Sequence, residues 1–494
     1  MQDFSSVLHA IAGYAKSSPD QPAIIEGETD RICTYGELWS YIKAFSTVLG
    51  DLGGSQGDRY GSRVVIRCMQ TIDYNVAYFA ILLAKGVVVP VERNTGSTRI
   101  AEIIQETDSR LFISDNPLDD YDGNYINLLY ATAEHEDIAD EKIVFPDPDD
   151  LATIIYTTGT TGRSKGVMHT FRSIKAKALN VSALMPNEDK DVYSIPLPLS
   201  HAFGLNRMYY ALYTGRTMML LNGFMEPKLF FSTIKKYKIT VLSLISSMTG
   251  YLLKRCRDDL IEIRDQIKSV TIGGALTAGQ ISDLRSLFPN SRIIQTYCAT
   301  EVQGCYIDHS VKEYASSCLG VPFEGSDLVF FDEQKQHIID AVRDAPGLIA
   351  LNGETKMLGY WKNPELTGSI TREGYLVLSD LGYKGDDGLI YYLARADDVI
   401  ISGGYKIAPS EIEDIANSME GVSESVCVPA DDLIMGQIPE LYVVMESGYS
   451  FNAAEILRFL QSKLEKTKLP RRIHEIGEIP RIGGKINRKK LRKS

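Results

Sequence analysis

Short β-branched runs alternate with stretches of helical length along most of this chain. Arg63–Arg67, Val87–Val91 and Val241–Ile245 are typical runs, and residues 73–85 are a typical helical stretch between two of them. Further runs of this kind are Ala152–Tyr156, Val270–Ile272 and Ile293–Ile294. Strands that alternate with helices are typical of parallel sheets covered by helices. The pattern therefore predicts an α/β fold with parallel sheets.

The pattern changes twice toward the end of the chain. After about residue 320 the strands shorten and glycines crowd between them, which predicts a small β-rich subdomain. From residue 396 a strand, the pair Gly403-Gly404 and a helix with Ser410 as its N-cap look separable from what precedes them. We predict a large N-terminal domain of layered α/β subdomains at 1–395 and a small α+β C-terminal domain at 396–494.

Charge and cysteine content exclude several classes of protein. The formal net charge is −12, which is unsuited to a dedicated nucleic-acid-binding protein. Seven scattered cysteines form no disulfide framework and no metal-binding spacing, which favours a reducing compartment. The longest apolar stretch, Val76–Ala84, is far short of the ~20 residues of a spanning helix, and no secretory signal is visible. We expect a soluble cytoplasmic protein without a membrane span.

Residues 156–166 read YTTGTTGRSKG and follow a strand-like run directly. Glycines let backbone N–H groups approach an anion, while Thr and Ser hydroxyls and Lys165 add donors and charge. The stretch predicts a polyphosphate-binding loop between a strand and a helix, although its spacing is not that of a Walker A motif. The alternative is a flexible linker of the same composition.

Six segments in order resemble the adenylate-forming superfamily, which includes acyl-CoA synthetases, adenylation domains and luciferases. The segments are Tyr156–Gly166, Pro198–Gly204, Gln295–Glu301, Ser379–Asp398, Ser402–Glu413 and Pro480–Arg488. The resemblance implies that ATP and Mg²⁺ convert a carboxylic acid into an acyl-adenylate, whose acyl group then passes to coenzyme A. Because the first step brings two anions together, preorganised positive charge should be its main catalytic device.

The resemblance assigns most of the nucleotide site. It places Tyr297 against adenine, Asp380 at the ribose hydroxyls and Arg395 at the ribose or phosphates, and it gives Mg²⁺ to Glu301 with Thr300. The phosphate-binding residues it implies are Thr157, Thr158, Gly159, Thr160, Thr161, Gly162 and Lys165. Each residue also has a plain structural explanation; Asp380, for example, suits an ordinary turn before Gly382.

The same resemblance assigns the remaining catalytic parts. Lys485, in a basic tail, would reach the carboxylate and α-phosphate, and His201 would lie near the substrate carboxylate. Asp397 would be the hinge of a mobile C-terminal domain. Gly403 and Gly404 would line a tunnel for the pantetheine arm of coenzyme A.

The residues expected around the acyl group are mostly apolar or small: Phe203, Met248, Gly273, Gly274, Ala275 and Cys298. This lining suits an uncharged aryl or aliphatic tail. Residues 196–209 contain no Asp or Glu to pair with a substrate ammonium, so an amino-acid substrate is disfavoured. Cys298 replaces the family's usual Gly and could narrow the pocket.

Three functions remain open on the sequence. The first is an acyl-CoA synthetase acting on an aryl or fatty acid. The second is a stand-alone enzyme that loads an acyl group onto a carrier protein. The third is a degenerate nucleotide-binding protein without catalysis, which the presence of Lys165, Glu301, Asp380, Arg395 and Lys485 argues against.

Overall fold

The structure is a computed structural model that describes residues 3–53, 60–118, 123–133, 139–157, 164–186, 191–223, 226–403, 405–482 and 485–492. Six of the residues predicted for the site lie outside the described residues: Thr158, Gly159, Thr160, Thr161, Gly162 and Gly404. The backbone of Lys485 is described, but its side chain is not.

Helices alternate with most of the strands in the first three hundred residues. They are α1 Val7–Ser17, α2 Tyr35–Leu49, α3 Ile72–Leu83, α4 Ser97–Thr107, α5 Phe171–Leu184, α6 Ala202–Tyr213, α7 Pro227–Lys236, α8 Ser246–Arg255, α9 Arg257–Ile263, α10 Ala278–Leu287, α11 Pro364–Ile370, α12 Pro409–Asn417 and α13 Ala453–Gln461. Short 3₁₀ helices are Leu128–Thr132, Asp140–Lys142, Ala396–Asp398, Lys466–Lys468 and Arg488–Lys490. Among the described residues, no helix is both long enough and apolar enough to cross a membrane.

The strands follow the predicted runs closely. They are β1 Pro22–Glu26, β2 Ile32–Thr34, β3 Arg63–Arg67, β4 Val87–Val91, β5 Leu111–Ser114, β6 Tyr125–Asn127, β7 Leu151–Tyr156, β8 Gly166–Thr170, β9 Val192–Ile195, β10 Thr217–Leu220, β11 Val241–Ile245, β12 Ser269–Gly273, β13 Arg292–Cys298, β14 Gln303–Asp308, β15 Cys318–Pro322, β16 Ser326–Phe331, β17 Ile338–Ile339, β18 Gly347–Gly353, β19 Gly359–Tyr360, β20 Thr371–Arg372, β21 Tyr375–Lys384, β22 Ile390–Arg395, β23 Ile400–Ser402, β24 Tyr405–Ile407, β25 Val422–Asp432, β26 Gly436–Met445, β27 Arg472–Glu475, β28 Arg481–Ile482 and β29 Lys485–Ile486. The predicted α/β fold is confirmed.

One long sheet carries both the parallel and the β-rich parts. Strands β1, β10, β9, β11, β12 and β13 are parallel neighbours. From β13 onward the sheet continues through antiparallel pairs, in the order β14, β15, β22, β21, β18, β16 and β17. The β-rich region expected after residue 320 is thus joined edge to edge with the parallel sheet, because β14 pairs with both β13 and β15.

A second sheet has the strand order β19-β8-β7-β4-β3-β5-β6. Helix α3 packs beside it with every residue buried, as expected of its continuous apolar sequence. The predicted order of strand, phosphate loop and helix is wrong in one respect. The loop leads into β8, which pairs antiparallel with β7 from Tyr156 opposite Gly166, and α5 begins only at Phe171. The apolar Val167 and Met168 complete this hairpin before the helix starts.

The C-terminal region has its own sheet, in the order β24-β23-β26-β25 with β27 beside β26. Helices α12 and α13 pack on it around Ile412, Ile456 and Leu460. Ser410 is not the N-cap of α12, because the helix already begins at Pro409. Its hydroxyl instead donates to the Leu393 carbonyl and ties α12 to β22. A large and a small domain are present as predicted, and the boundary at 395/396 stays a prediction.

Candidate active site

The predicted site residues gather at the carboxyl ends of the parallel strands. His201 follows β9, Met248 follows β11, Gly274 follows β12, and Tyr297 and Cys298 end β13. Because parallel strands all point the same way, segments distant in sequence meet at one edge of the sheet, which is where open α/β sheets bind ligands. The order of the strands therefore brings these separate segments of sequence together.

The first polar group of the site joins three residues predicted for the nucleoside. The Tyr297 hydroxyl donates to Asp380 Oδ2 at 2.5 Å, and Arg395 Nη1 lies 3.6 Å from Asp380 Oδ1. Asp380 and Arg395 face each other in the β21–β22 ladder, which fixes this pairing. Burial and then the Asp380 carboxylate raise the pKa of Tyr297, so its hydroxyl stays a donor. Asp380 keeps unused acceptor positions for further hydroxyl groups.

The second polar group consists of Glu301, Tyr360 and Lys165. Glu301 lies four residues after Tyr297 in the chain. The Tyr360 hydroxyl donates to Glu301 Oε1 at 2.7 Å, and Lys165 Nζ lies 5.3 Å from the centre of the Tyr360 ring. The Met357 N–H donates to the Glu301 carbonyl at 2.8 Å, which holds the backbone of this turn. These contacts place one carboxylate and one ammonium against the same side chain, that of Tyr360.

The second polar group suits a magnesium ion only if the phosphate oxygens of a bound nucleotide supply further ligands. No set of three or more His, Cys, Asp or Glu side chains suited to a metal ion occurs in the part of the chain that the structure describes. Mg²⁺ is commonly held by one or two carboxylates plus substrate phosphates, with water completing the shell. Glu301 supplies one such carboxylate, and Thr300, which precedes it in the chain, is the second predicted ligand.

Hydrogen bonds join the two ends of the predicted phosphate loop, Thr157 and Lys165. The Thr157 N–H donates to the Lys165 carbonyl at 3.0 Å, and the Lys165 N–H lies 3.4 Å from Thr157 Oγ1. Arg99 stacks at 5.5 Å over the Tyr156 ring and reaches Ser164 Oγ at 3.4 Å. The hairpin thus holds Lys165 near Tyr360, and sequence reasoning did not identify Arg99.

His201 precedes α6 and has a carboxylate partner that the sequence did not reveal. Its Nε2 lies 3.7 Å from Glu92 Oε2, just beyond the end of β4. The imidazole lowers the pKa of the Glu92 carboxyl. His201 is part-exposed and is therefore open to a ligand.

The predicted acyl residues lie around the ends of β12 and β13. A Cβ atom at Gly273 would be 3.0 Å from the Phe203 ring, so Phe203 packs directly on this glycine. Gly274 has φ +100° and is exposed together with Ala275, while Met248 is buried in the core. Gln295 donates to the Gly274 carbonyl at 3.0 Å and accepts from His309 Nε2 at 2.8 Å. The glycine turn is thus held from within the sheet.

Sequence reasoning missed two buried cations beside these residues. Arg207 on α6 stacks on Phe203 with its guanidinium carbon 4.5 Å from the ring centre. Lys177 on α5 has Nζ 3.0 Å from the ring nitrogens of His169, whose Nε2 lies 2.9 Å from the Thr300 carbonyl oxygen. Burial lowers the pKa of Lys177 to about 7 and that of Arg207 to about 10. The local signal is weak, because the buried face of α5 also carries the polar residues Ser173 and Asn180.

Arg488 follows the Lys485 hairpin and contacts Asp398, the neighbour of the predicted hinge residue Asp397. Arg488 Nη2 donates to Glu413 Oε2 at 2.9 Å, and Arg488 Nε lies 3.6 Å from Asp398 Oδ2. Burial opposes the charge, but Glu413 raises the pKa of Arg488 above its usual value. Asp397 itself accepts a long contact from Arg492 through its carbonyl, at 3.5 Å. The strand pair β28–β29, which carries the Lys485 backbone, is therefore followed by an anchored turn.

Gly403 has φ +56° and donates its N–H to the Met435 carbonyl at 2.8 Å. A Cβ at this position would lie 2.4 Å from Met435 Cε. The left-handed backbone conformation favours a glycine here, whether or not it lines a tunnel, while the Met435 side chain is flexible enough to move aside.

Two family models match the chain. The model of the AMP-binding enzymes matches residues 12–361, which is more than half of the 494 residues. The model of the AMP-binding enzyme C-terminal domain matches residues 411–484. The second match falls within the small domain described above.

Similar sequences extend over nearly the whole chain. A 2-succinylbenzoate–CoA ligase of Geobacillus sp. (strain WCH70) is 28% identical over 477 residues, covering 94% of this chain and 92% of the relative. A 4-coumarate–CoA ligase of Vanilla planifolia is 26% identical over 506 residues, covering 96% and 90%.

Solved structures share the fold. The o-succinylbenzoate CoA synthetase MenE of Bacillus subtilis, in complex with the intermediate OSB-AMP, has a TM-score of 0.84 at 23% identity and covers 98% of both chains. ATP-bound MatB of Rhodopseudomonas palustris has a TM-score of 0.87 at 23% identity, again over 98% of both chains.

Proposed function

The chain belongs to the family of AMP-binding enzymes, and from this premise we propose that it is an AMP-forming acid–thiol ligase. A substrate carboxylate attacks the α-phosphate of ATP, giving an acyl-adenylate and releasing pyrophosphate. The thiol of coenzyme A then attacks the acyl carbon, forming the thioester and releasing AMP. The similar sequences support this assignment, since those named above are CoA ligases.

One observation carries the proposal. Two polar groups adjoin the end of β13: Tyr297–Asp380–Arg395 and, beyond it, Glu301–Tyr360–Lys165. The first suits a ribose, because a carboxylate can accept two hydroxyl donors. The second suits a polyphosphate with its cation. A nucleoside triphosphate extends over both.

The residues of the chain divide the work of adenylation. Asp380 and Arg395 orient the ribose, and Lys165 with the Thr157 end of the loop holds the phosphates. Glu301 and Thr300 would hold the magnesium ion, which would neutralise phosphate charge when bound. Lys485 approaches the carboxylate and α-phosphate, where charge develops during attack. His201 borders the reacting carboxylate, with Glu92 orienting its ring.

The thiol step needs access from another direction. In this proposal the C-terminal domain, residues 396–494, turns about Asp397 after adenylation and withdraws Lys485. Gly403 and Gly404 then line the path of the pantetheine arm. The Arg488 contacts with Glu413 and Asp398 keep the Lys485 hairpin and the hinge in a fixed relation.

A pyrophosphate-release screen over carboxylic acids, with and without coenzyme A, tests the proposal. Aromatic acids are the first choice, because named relatives act on 2-succinylbenzoate and 4-coumarate. We expect one class of acid to give AMP and acyl-CoA in equal amounts. Acid-dependent pyrophosphate exchange without coenzyme A turnover would indicate carrier-protein loading instead. ATP binding without any exchange would overturn the enzymatic assignment.

We also propose that the protein acts in the cytoplasm. All seven cysteines are free thiols, and most are buried, as in a protein kept under reducing conditions. Fractionation of cells that produce the protein tests this, and recovery in an oxidising compartment would contradict it.

A further inference from the structure

Two buried cations border the predicted acyl residues without a carboxylate of their own. Arg207 is 3% exposed and Lys177 is 2% exposed, on the adjoining helices α6 and α5. We call these two residues the cationic cluster. Lys and Arg are almost never fully buried unless they are paired.

Arg207 is next to the acyl residues but has no anion. Its guanidinium stacks on Phe203, which in turn packs on Gly273. Its Nε is buried and has no hydrogen-bond partner, and no Asp or Glu of the described ranges forms an ion pair with it. A stacking contact supplies some stabilisation, but it leaves the guanidinium donors unused.

Cys298 connects the cluster to an open surface. The charges of Arg207 and Lys177 both act on its thiol, and Cys298 retains exposed surface at the end of β13. The surrounding protein raises the pKa of this thiol, so it is neutral near pH 7 and cannot serve as the counter-ion. Phe203, on which Arg207 stacks, is part-exposed, and it packs on Gly273 next to the exposed Gly274, so Arg207 lies one side chain away from surface that a ligand can reach.

Lys177 adds to the positive potential there in its protonated form, because burial lowers its pKa to about 7. Its contacts are with the neutral ring of His169, whose pKa is lowered by burial and by Lys177 itself. The carboxylate that acts on it is Glu301, which already accepts from Tyr360. One turn further along α5, the Asn180 amide donates to Gln303 at 3.0 Å, so this neighbour supplies no charge either.

A buried charge is costly unless it is paired and hydrogen-bonded. We propose that the acyl pocket takes an acid with a second anionic group, of the dicarboxylic class, and that Arg207 binds this distal group with Lys177 as supporting charge. The proposal rests on the acid–thiol ligase function above and replaces the uncharged tail expected from the sequence. A guanidinium suits it because its planar donors match a carboxylate bidentately.

The test compares matched acids that differ in the distal group. The pairs are 4-carboxycinnamate with 4-methylcinnamate and octanedioate with octanoate, and the measurement is kcat/KM for coenzyme A-dependent AMP release. We expect the wild type to prefer the dianion of at least one pair by about 10- to 100-fold, the range of hydrogen bonds to charged groups. Arg207→Met should abolish that preference. Arg257→Met is the matched control, because Arg257 pairs with Asp283 on the surface, and it should keep the preference.

Several outcomes would overturn the proposal while leaving the ligase function intact. These are preference for the monoacid in both pairs, an unchanged preference in Arg207→Met, or an equal loss for both acids, which would place the reacting carboxylate at Arg207. If Arg207→Met fails to fold, Lys177→Met should reduce the preference by a smaller factor, and an unchanged preference there would count against the cluster.

A binding measurement separates this proposal from failure of the ligase function. Thermal stabilisation by the dianions but not by the monoacids, lost in Arg207→Met, supports the cluster even if no thioester forms. Equal stabilisation by both members of each pair would refute it. Absence of pyrophosphate release with every acid would refute the ligase function alone.

Discussion

The nucleotide side and the acyl side of the site differ in how their charges are paired. On the nucleotide side Asp380 is within reach of Tyr297 and Arg395, and Glu301 accepts from Tyr360. On the acyl side Arg207 and Lys177 are buried with neutral neighbours. One side has paired acids, and the other has two buried basic groups that form no ion pair with a described Asp or Glu.

This difference separates two ways of building a binding site. The acids of the nucleotide side are preorganised by their own ladder and hydroxyl partners, so they keep their positions before a ligand arrives. The cations of the acyl side are held by packing alone, and a ligand would complete their pairing. Mutations on the two sides should therefore change different kinetic constants.

The largest expected effect is that of Lys485→Ala. Without the Lys485 ammonium, the charge that develops during attack on the α-phosphate is no longer stabilised, so acid-dependent pyrophosphate release should fall by about 10³-fold. Transfer from preformed acyl-adenylate to coenzyme A should stay near the wild-type rate. Half-reaction assays measure both steps. Lys489→Ala, in the same basic turn, is the control and should affect neither. Equal loss of both half-reactions in Lys485→Ala would remove the residue from this role.

Asp380→Ala tests the paired side directly. Removing the acceptor for ribose should lower kcat/KM for ATP by about 30- to 100-fold, because hydrogen bonds to charged groups are the strong ones. The preference among acids should not change. Steady-state kinetics with ATP and acid varied separately will distinguish the two, and Asp386→Ala in the adjacent turn serves as the control. A changed acid preference would mean that the two sides are coupled.

Lowering the pH should destabilise the folded protein through His309, which holds Gln295 against the glycine turn of the acyl side. Burial lowers the pKa of His309 to about 4, and its side chain is fully buried beside Gln295. Because the native state then binds fewer protons than the unfolded state, stability is complete above pH 6.5 and declines as pH falls toward 4. At pH 5 the loss should be about 1 to 2 kcal/mol.

Urea unfolding at pH 7.5 and pH 5 measures this loss. His309→Gln keeps an amide donor for Gln295 but does not titrate, so its stability should depend less on pH than that of the wild type. The same pH dependence in both proteins would show that other groups cause the decline.

The smallest effect is expected from Tyr360→Phe. The substitution removes the hydroxyl that donates to Glu301 and keeps the ring that Lys165 contacts. The Mg²⁺ concentration for half-maximal activity should therefore rise about 3- to 10-fold. A magnesium titration at saturating ATP measures it. Tyr237→Phe removes a similar hydroxyl–carboxylate bond to Asp30 at the surface and should have no effect. An unchanged magnesium requirement in Tyr360→Phe would argue against Glu301 as the ligand.

Sequence reasoning predicted the strands and helices well where local pattern decides them. The β-branched runs Arg63–Arg67 and Val241–Ile245 are strands with the predicted bounds, and the apolar helix before Lys85 is buried. It was wrong about the segment after the phosphate loop, because Gly166–Thr170 is a strand only by virtue of pairing with β7. The sequence also predicted the β-rich subdomain, but not that its strands continue the parallel sheet, since edge-to-edge joining of strands leaves no mark in either one.

The sequence by itself determined the alternation of strands and helices, the glycine-rich loop and the ordered segments that carry Tyr297, Glu301, Asp380 and Lys485. Only the tertiary structure decided which charges are paired. Lys177 and Arg207 belong to two helices thirty residues apart, and each alone reads as an ordinary basic residue. The packing of α5 on α6 buries both, and their charges act on Cys298 at the end of β13. The energy of a charge depends on the solvent and partners around it, and those are set by contacts distant in sequence.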